Sequence, residues 1–134
     1  MVELVYIINM KIILDTNFLL IPGKFKVDVF SELERFGKPE LFTLDLVLSE
    51  LKKLSKGRSK DAGNAKLGLE LVKKNKVKTI KSSGKNTDSE IERLSAEEDY
   101  IVCTQDRELI EKLKREGVQI IHLRQKRYLE YVAT

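Results

Sequence analysis

The sequence predicts an α/β protein, a three-layer α/β/α sandwich built on a mainly parallel five-stranded sheet. Two observations predict it. Short apolar runs of strand-forming residues alternate with helix-like stretches along the 134 residues, the spacing expected of crossover units. The first such run, Lys-Ile-Ile-Leu at 11–14, shows no polar alternation, as expected of a strand covered on both faces. No repeat or low-complexity tract interrupts the pattern. A chain of 134 residues is enough for one core and short for two, so 1–134 reads as a single domain.

The elements follow in order. Residues 11–14 form the first strand. Val27, Phe30 and Leu33 are spaced for a helix over 27–36, stopped by Gly37 with Pro39 behind it. Glu-Leu-Phe-Thr-Leu-Asp-Leu at 40–46 supplies the second strand, and 46–56 a helix interrupted at Gly57. A third helix covers 61–75, and Val-Lys-Thr-Ile-Lys-Ser at 77–82 is the third strand, closed by Ser83 and Gly84. The stretch 87–98 is helical, with Thr87 and Glu90 at capping-box spacing. Residues 100–104 form the fourth strand, 106–117 a helix ended by Gly117, and 118–123 the fifth strand; 124–132 reads as a short terminal helix. The first nine residues either extend the first strand or precede a natural start at Met10. They carry no basic n-region and no cleavage site, so they do not read as a signal peptide.

The composition, 42% hydrophobic and 34% charged, is that of a soluble protein, and no apolar run approaches the roughly 20 residues of a membrane span. No membrane role and a cytoplasmic location are expected. One cysteine and one histidine exclude an internal disulfide and a tetrahedral structural zinc site, so any metal must be held by oxygen. The net charge of +4 is unevenly spread. Residues 51–85 carry eleven lysines and one arginine against one aspartate and one glutamate, a local +10 that leaves −6 for the rest. A basic segment beside an acidic remainder suits attraction of a polyanion, or else a lysine-rich solvated face.

In parallel sheets ligands bind beyond the carboxyl ends of the strands, where neighbouring crossovers part. Asp15 closes the first strand, Asp88 opens the helix after the third, and Asp106 follows the fourth. Each alone also serves as a helix N-terminal residue. Glu50 interrupts the apolar stripe of Leu46, Val47 and Leu54, a costly place for an unpaired charge unless the side chain reaches water. Converged, these carboxylates repel by roughly 4 kcal/mol per pair at ~4 Å and an effective dielectric near 20. A hard cation relieves that repulsion, and oxygen ligands alone select Mg²⁺ or Mn²⁺, one or two ions. Thr16, Asn17 and Thr104 stand where they orient carboxylates or water, or act as ordinary turn and capping residues. Cys103 reads as core and His122 as structural, and Ser49 and Ser89 lack a partner for nucleophilic catalysis.

These residues resemble the PIN-domain family of metal-dependent nucleases: Ile-Leu-Asp-Thr-Asn-Phe-Leu-Leu around Asp15 its first motif, Glu50 its second acid, Asp88 its third, and Tyr-Ile-Val-Cys-Thr-Gln-Asp-Arg-Glu-Leu around Asp106 its fourth. Within the family, 100–109 and 117–130 are most similar to the branch of the eukaryotic small-subunit rRNA-processing endonuclease, with VapC-type toxins next. The resemblance implies a Mg²⁺ or Mn²⁺ site at Asp15, Glu50, Asp88 and Asp106 and cleavage of single-stranded RNA. Gln105 departs from the frequent asparagine, which puts a supporting role there in doubt. A homodimer, an antitoxin and a ribosome-assembly partner are the associations it leaves open.

Lys52, Lys53, Lys56, Arg58 and Lys60 are expected to track the phosphate backbone, giving affinity without sequence specificity. Arg127 adds a cation, while Tyr128 and Tyr131 either stack on bases or pack the terminal helix. The expected activity is metal-dependent endoribonucleolytic RNA or rRNA processing. A toxin ribonuclease, a non-catalytic RNA-binding scaffold of the same fold and a DNA structure-specific nuclease are the rivals.

Overall fold

The computed structural model describes residues 10–132, so the reading of residues 1–9 lies outside the described part. β1 (Lys11–Leu14) is the centre of the molecule: Ile12, Ile13 and Leu14 are wholly buried, paired in parallel with β2 (Glu40–Leu44) on one side and β4 (Tyr100–Cys103) on the other. The whole sheet runs β3-β2-β1-β4-β5-β6, with β3 (Lys78–Ile80) at one edge. β1 to β5 (Ile120–Arg124) are parallel.

The apolar residues after Asp15 form two short helices absent from the sequence reading, α1 (Thr16–Leu19) and α2 (Ile21–Phe25). Four and five residues are too few for a helical period to show. Pro22 in the first turn pre-sets the backbone of α2, and Lys26 ends it in a left-handed conformation. α3 (Val29–Glu34) is capped by Asp28, which accepts from the Ser31 amide at 3.1 Å, and the chain turns out at Gly37 with φ 108°. α4 (Asp45–Ser55) and α5 (Asp61–Lys74) then carry the chain to β3. Gly68 of α5 lies where any Cβ would meet the Leu19 carbonyl at 2.7 Å, so the absence of a side chain lets α5 close on α1.

α6 (Thr87–Glu97) and α7 (Arg107–Arg115) connect β3 to β4 and β4 to β5. Crossovers are right-handed, so α1 to α5, which step from β1 outward to β3, cover one face. α6 and α7, which step back through β4 to β5, cover the other. The reversal between β1 and β4 is the switch point, and the three expected layers are present.

Two expectations are corrected. The stretch read as a terminal helix is a sixth strand, β6 (Tyr128–Val132), antiparallel to β5. Gln125 (φ 53°) and Lys126 (φ 57°) are both left-handed, and the Arg127 amide donates to the Arg124 carbonyl at 3.1 Å, a turn whose twist matches a hairpin. Residues alternate from there: Leu129 is buried, Tyr131 meets Phe36 with ring centroids 6.2 Å apart, and Tyr128 is exposed. Pairing satisfies the edge of β5, a demand that a helix could not meet. His122 is structural here, its Nε2 lying 3.0 Å from Glu130 across the hairpin. The second correction concerns the cap of α6. Asn86 accepts from the Ser89 amide at 3.0 Å, one position before the expected Thr87, and Glu90 turns to another task.

Candidate active site

The carboxyl ends of β1 and β4 place their polar followers side by side. Thr43, buried on β2, donates to the Leu14 carbonyl at 2.7 Å, and the Asp15 amide donates to the Cys103 carbonyl at 3.0 Å, so the backbone on both sides of the Leu14–Asp15 peptide is fixed by neighbouring strands. Asp15 is itself buried. Its Oδ1 accepts from the Thr16 amide at 2.8 Å and its Oδ2 from the Thr104 hydroxyl at 2.7 Å. Burial pushes the Asp15 carboxyl up to about 6 against those two hydrogen bonds, and the negative charges of Asp88 and Glu50 push in the same direction.

Thr104 is the knot of the site. While donating to Asp15 it accepts from the Asp106 amide at 3.2 Å, and its oxygen lies 3.3 Å from Asn17 Oδ1, which accepts the Gln105 amide at 2.9 Å. Asn17 and Thr104 thus clasp the loops after β1 and β4 together. Gln105 faces away, donating to the Leu123 carbonyl and accepting from the Leu123 amide, which fastens this loop to β5.

Asp106 caps α7, its Oδ1 accepting from the amides of Glu108 at 3.0 Å and Leu109 at 3.3 Å. Asp88, the second residue of α6, is raised from the usual carboxylate range by partial burial first and the charge of Asp106 next, with Lys112 opposing. Glu50 projects from α4 and is exposed. It lines an open cavity of about 550 Å³ with Leu46, Ser49, Lys52, Lys53, Lys56, Lys85 and Thr87. The four acids are therefore linked electrostatically: Asp15 senses Asp88 and Glu50, and Asp88 senses Asp106.

Among the described residues no three histidine, cysteine, aspartate or glutamate side chains stand close enough to form a ready-made metal cage. The donor set nevertheless suits a hydrated divalent ion: hard oxygens only, a buried carboxylate whose ionised form is disfavoured, and a buried Thr16 Oγ1 without a hydrogen-bond partner beside it. Mg²⁺ keeps several waters and takes only one or two carboxylates directly, so a closed cage is not its requirement.

Arg58 and Lys60 lie in the turn between α4 and α5 and do not line the cavity, whereas Lys85, outside the sequence-based selection, does. Two further carboxylates escaped that reading. Glu90 Oε1 accepts from the Ser83 and Gly84 amides, the latter at 2.9 Å, and Oε2 from Arg93 Nε at 2.9 Å. Asp45 Oδ1 accepts from the Ser82 amide at 3.0 Å and from its hydroxyl. Between them they hold the loop that leads to Asp88. The only sequence signal was at Glu90, six residues past Gly84 and four past the Asn86 cap, which a helix N-terminus explains as well. No helix among the described residues is long and apolar enough to cross a membrane.

A family model described as a PIN like domain matches residues 12–126. Ribonuclease VapC4 of Methanocaldococcus jannaschii is 35% identical over 124 residues, which cover 90% of this chain and 95% of that relative. Among solved structures, the PIN domain endonuclease Utp24 superposes with a TM-score of 0.75 at 24% identity over 92% of each chain. A domain of a functionally unknown protein from Methanocaldococcus jannaschii gives 0.61 at 18% identity, over 86% of this chain and 91% of that one. At those identities the structural likeness is one of fold.

Proposed function

The chain belongs to the PIN-like domain family, and from that membership we propose that it is a divalent-metal-dependent endoribonuclease that hydrolyses single-stranded RNA, with 1–134 acting as one nuclease domain. The observation that carries the proposal is Asp15, delivered by a rigid strand, oriented by Thr104 and raised by its burial first and by the charges of Asp88 and Glu50 in addition. Among the described residues no basic side chain offsets its charge, and two neighbouring acids oppose it. Its likeness to ribonuclease VapC4 supports the reaction class.

Asp15, Glu50, Asp88 and Asp106 would hold one or two Mg²⁺ or Mn²⁺ ions. Such an ion supplies Lewis acidity toward a phosphate oxygen and lowers the pKa of water at the site. The chain's own residues do the rest. Thr104 and Asn17 keep Asp15 and the start of α7 at fixed spacing, so the acids meet the scissile phosphate without reorganising. Glu90 and Asp45 hold the loop before Asp88. Lys52, Lys53, Lys56 and Lys85, around the cavity that Glu50 lines, neutralise backbone phosphates on approach.

The test is cleavage of an end-labelled single-stranded RNA in Mn²⁺ by the native chain and by Asp15→Asn and Asp106→Asn. Metal-dependent cutting that falls at least 10²-fold in both variants, leaving 5′-phosphate and 3′-hydroxyl ends, is expected. A 2′,3′-cyclic phosphate product, or cutting that survives both substitutions, overturns the mechanism. Binding without cutting across several metals and RNAs makes the chain a scaffold.

We place the activity in RNA processing, on the resemblance of 100–109 and 117–130 to the rRNA-processing branch. The alternative, a toxin ribonuclease, is distinguished by expression: growth arrest relieved by the product of an adjacent gene supports the toxin, and an accumulating uncut precursor on depletion supports processing.

A further inference from the structure

Two short basic stretches lie far apart in the sequence, Lys24 and Lys26 at the end of α2 and Arg124, Lys126 and Arg127 at the β5–β6 turn. The fold brings them together. Lys24 Nζ stands 5.7 Å and Lys126 Nζ 5.8 Å from the centroid of the same Phe25 ring, so two ammonium groups from separate elements are gathered about one aromatic side chain. Arg124 is neutralised by Glu130 at 3.0 Å, but among the described residues Lys24, Lys26, Lys126 and Arg127 have no carboxylate partner. Uncompensated like charges held at close quarters are unfavourable unless a polyanion is there to meet them.

The backbone carries a second observation. Lys26 (φ 59°) and Lys126 (φ 57°) are both in the left-handed region, where glycine or asparagine is the less strained choice. A lysine at such a turn costs stability relative to either; Lys76 (φ 55°), before β3, shares the conformation, so it is the meeting of the two turns at Phe25 that sets Lys26 and Lys126 apart. Directly after the turn stands Tyr128, 40% exposed and the one large hydrophobic side chain left exposed among the described residues, an aromatic ring of the kind on which a base stacks.

Position completes the inference. The β5–β6 turn rises from the carboxyl end of β5, the same edge that carries Asp15 and Asp106 after β1 and β4. The lysines around Glu50 belong to the β2–β3 half of that edge. The acids stand between the two groups. We propose that Lys24, Lys26, Lys126, Arg127 and Tyr128 form a second RNA-gripping bank, holding phosphates and one stacked base on the far side of the scissile bond from Lys52, Lys53 and Lys56. The proposal rests on the ribonuclease reading and adds to it the path of the strand: across the edge of the sheet, over the acids, from one bank to the other. Three or four strand spacings separate the banks, roughly 15–20 Å at ~4.8 Å each, so a bound RNA must extend several nucleotides on both sides of the cut.

The test is anisotropy of a labelled single-stranded RNA in EDTA over a range of salt, with cleavage in Mn²⁺ measured in parallel for the native chain. The variants are Lys26→Asn with Lys126→Asn, Lys24→Gln, Tyr128→Ala and the charge-keeping Lys126→Arg. Asparagine suits the left-handed backbone, so the double variant should keep or raise its thermal midpoint while losing two phosphate contacts. Its slope of log affinity against log salt should flatten by about 1.4, or about 25-fold in affinity at 0.1 M salt. Tyr128→Ala should weaken binding roughly tenfold, and Lys126→Arg should bind as the native chain does. Native affinity and native slope in the double variant, from a chain that does cut RNA, overturn the second bank and leave the nuclease standing. A native chain that neither binds nor cuts single-stranded RNA overturns both.

Discussion

Replacing Asp15 by asparagine is expected to stabilise the metal-free chain while abolishing its activity, and the size of the gain follows from the burial of one carboxylate. The folded Asp15 holds its proton up to about pH 6, against an ordinary 3.8, because burial disfavours the ion more than the Thr104 and Thr16 hydrogen bonds favour it. Folding therefore takes up a proton between those two values, and native stability falls as pH rises through that window. Below 3.8 the cost is absent; above 6 it is complete, about 3 kcal/mol at about 1.4 kcal/mol per tenfold change in proton affinity. Asparagine keeps the shape: its oxygen can still accept from Thr16, and its amide can donate to the Thr104 oxygen, freeing that hydroxyl for Asn17. Urea titrations in EDTA at pH 8 should show a midpoint about 1.5 M higher for Asp15→Asn, taking a slope of ~2 kcal/mol per molar. The difference should shrink toward pH 4. Mn²⁺ at a hundred times its Kd should return about 2.7 kcal/mol to the native chain and none to the variant. A variant no more stable than native at pH 8, or a gain that ignores pH, refutes the reasoning.

Four other outcomes are expected. Thr104→Val, at a fully buried position, strands the Asp106 amide and removes the donor to Asp15 Oδ2; urea unfolding should show a loss of about 1–3 kcal/mol, and RNA cleavage should drop 10–100-fold while Thr104→Ser stays near native. Gly68→Ala should lose about 1–3 kcal/mol, because its Cβ meets the Leu19 carbonyl at 2.7 Å and overpacking exceeds the ~1 kcal/mol of helix propensity gained. Gly63→Ala on the same helix, with nothing within 4 Å, should instead raise the thermal midpoint. Glu90 is held down at about 2 by Arg93 first and the Gly84 and Ser83 amides next, so the stability it contributes is complete above its ordinary 4.5 and disappears as pH falls from there to 2. Urea midpoints measured through that range should fall more steeply for the native chain than for Glu90→Gln.

The part of the site legible in the sequence is the part governed by chain order. An apolar run followed at once by Asp15, and a second one followed by Thr104 and Asp106, point to the carboxyl edge of a parallel sheet, and the structure sets the two strands side by side there. Glu50 was visible because a charge broke an apolar stripe. What stayed hidden depends on contacts between distant segments. Leu-Glu-Tyr-Val fits a helix or a strand equally, and only the open edge of β5 decides for β6. Glu90 and Asp45 look like helix-terminal acids until the Ser82–Gly84 loop folds onto them. Gln105 falls in the fourth motif by resemblance yet spends its amide on β5, while Asn17 satisfies the backbone of its loop. Lys85 counted toward the basic segment, but only the fold puts it beside Glu50.

The placement of strain says the same thing energetically. Full burial of Ile12, Ile13 and Leu14 contributes about 1.5–3 kcal/mol each, more in sum than the charge on Asp15 costs. The strand that delivers the acid is thus also what makes the acid tolerable. The edge departs from the local optimum elsewhere too: an aspartate facing aspartates, lysines where asparagine or glycine would sit more easily, a threonine hydroxyl buried without a partner. A sequence selected for stability alone would have relaxed each of these by a single substitution. Variants that relieve such strain at the carboxyl edge, Asp15→Asn or Lys26→Asn with Lys126→Asn, should therefore gain stability as RNA cleavage or binding falls, whereas Thr104→Val, which breaks satisfied hydrogen bonds, should lose both.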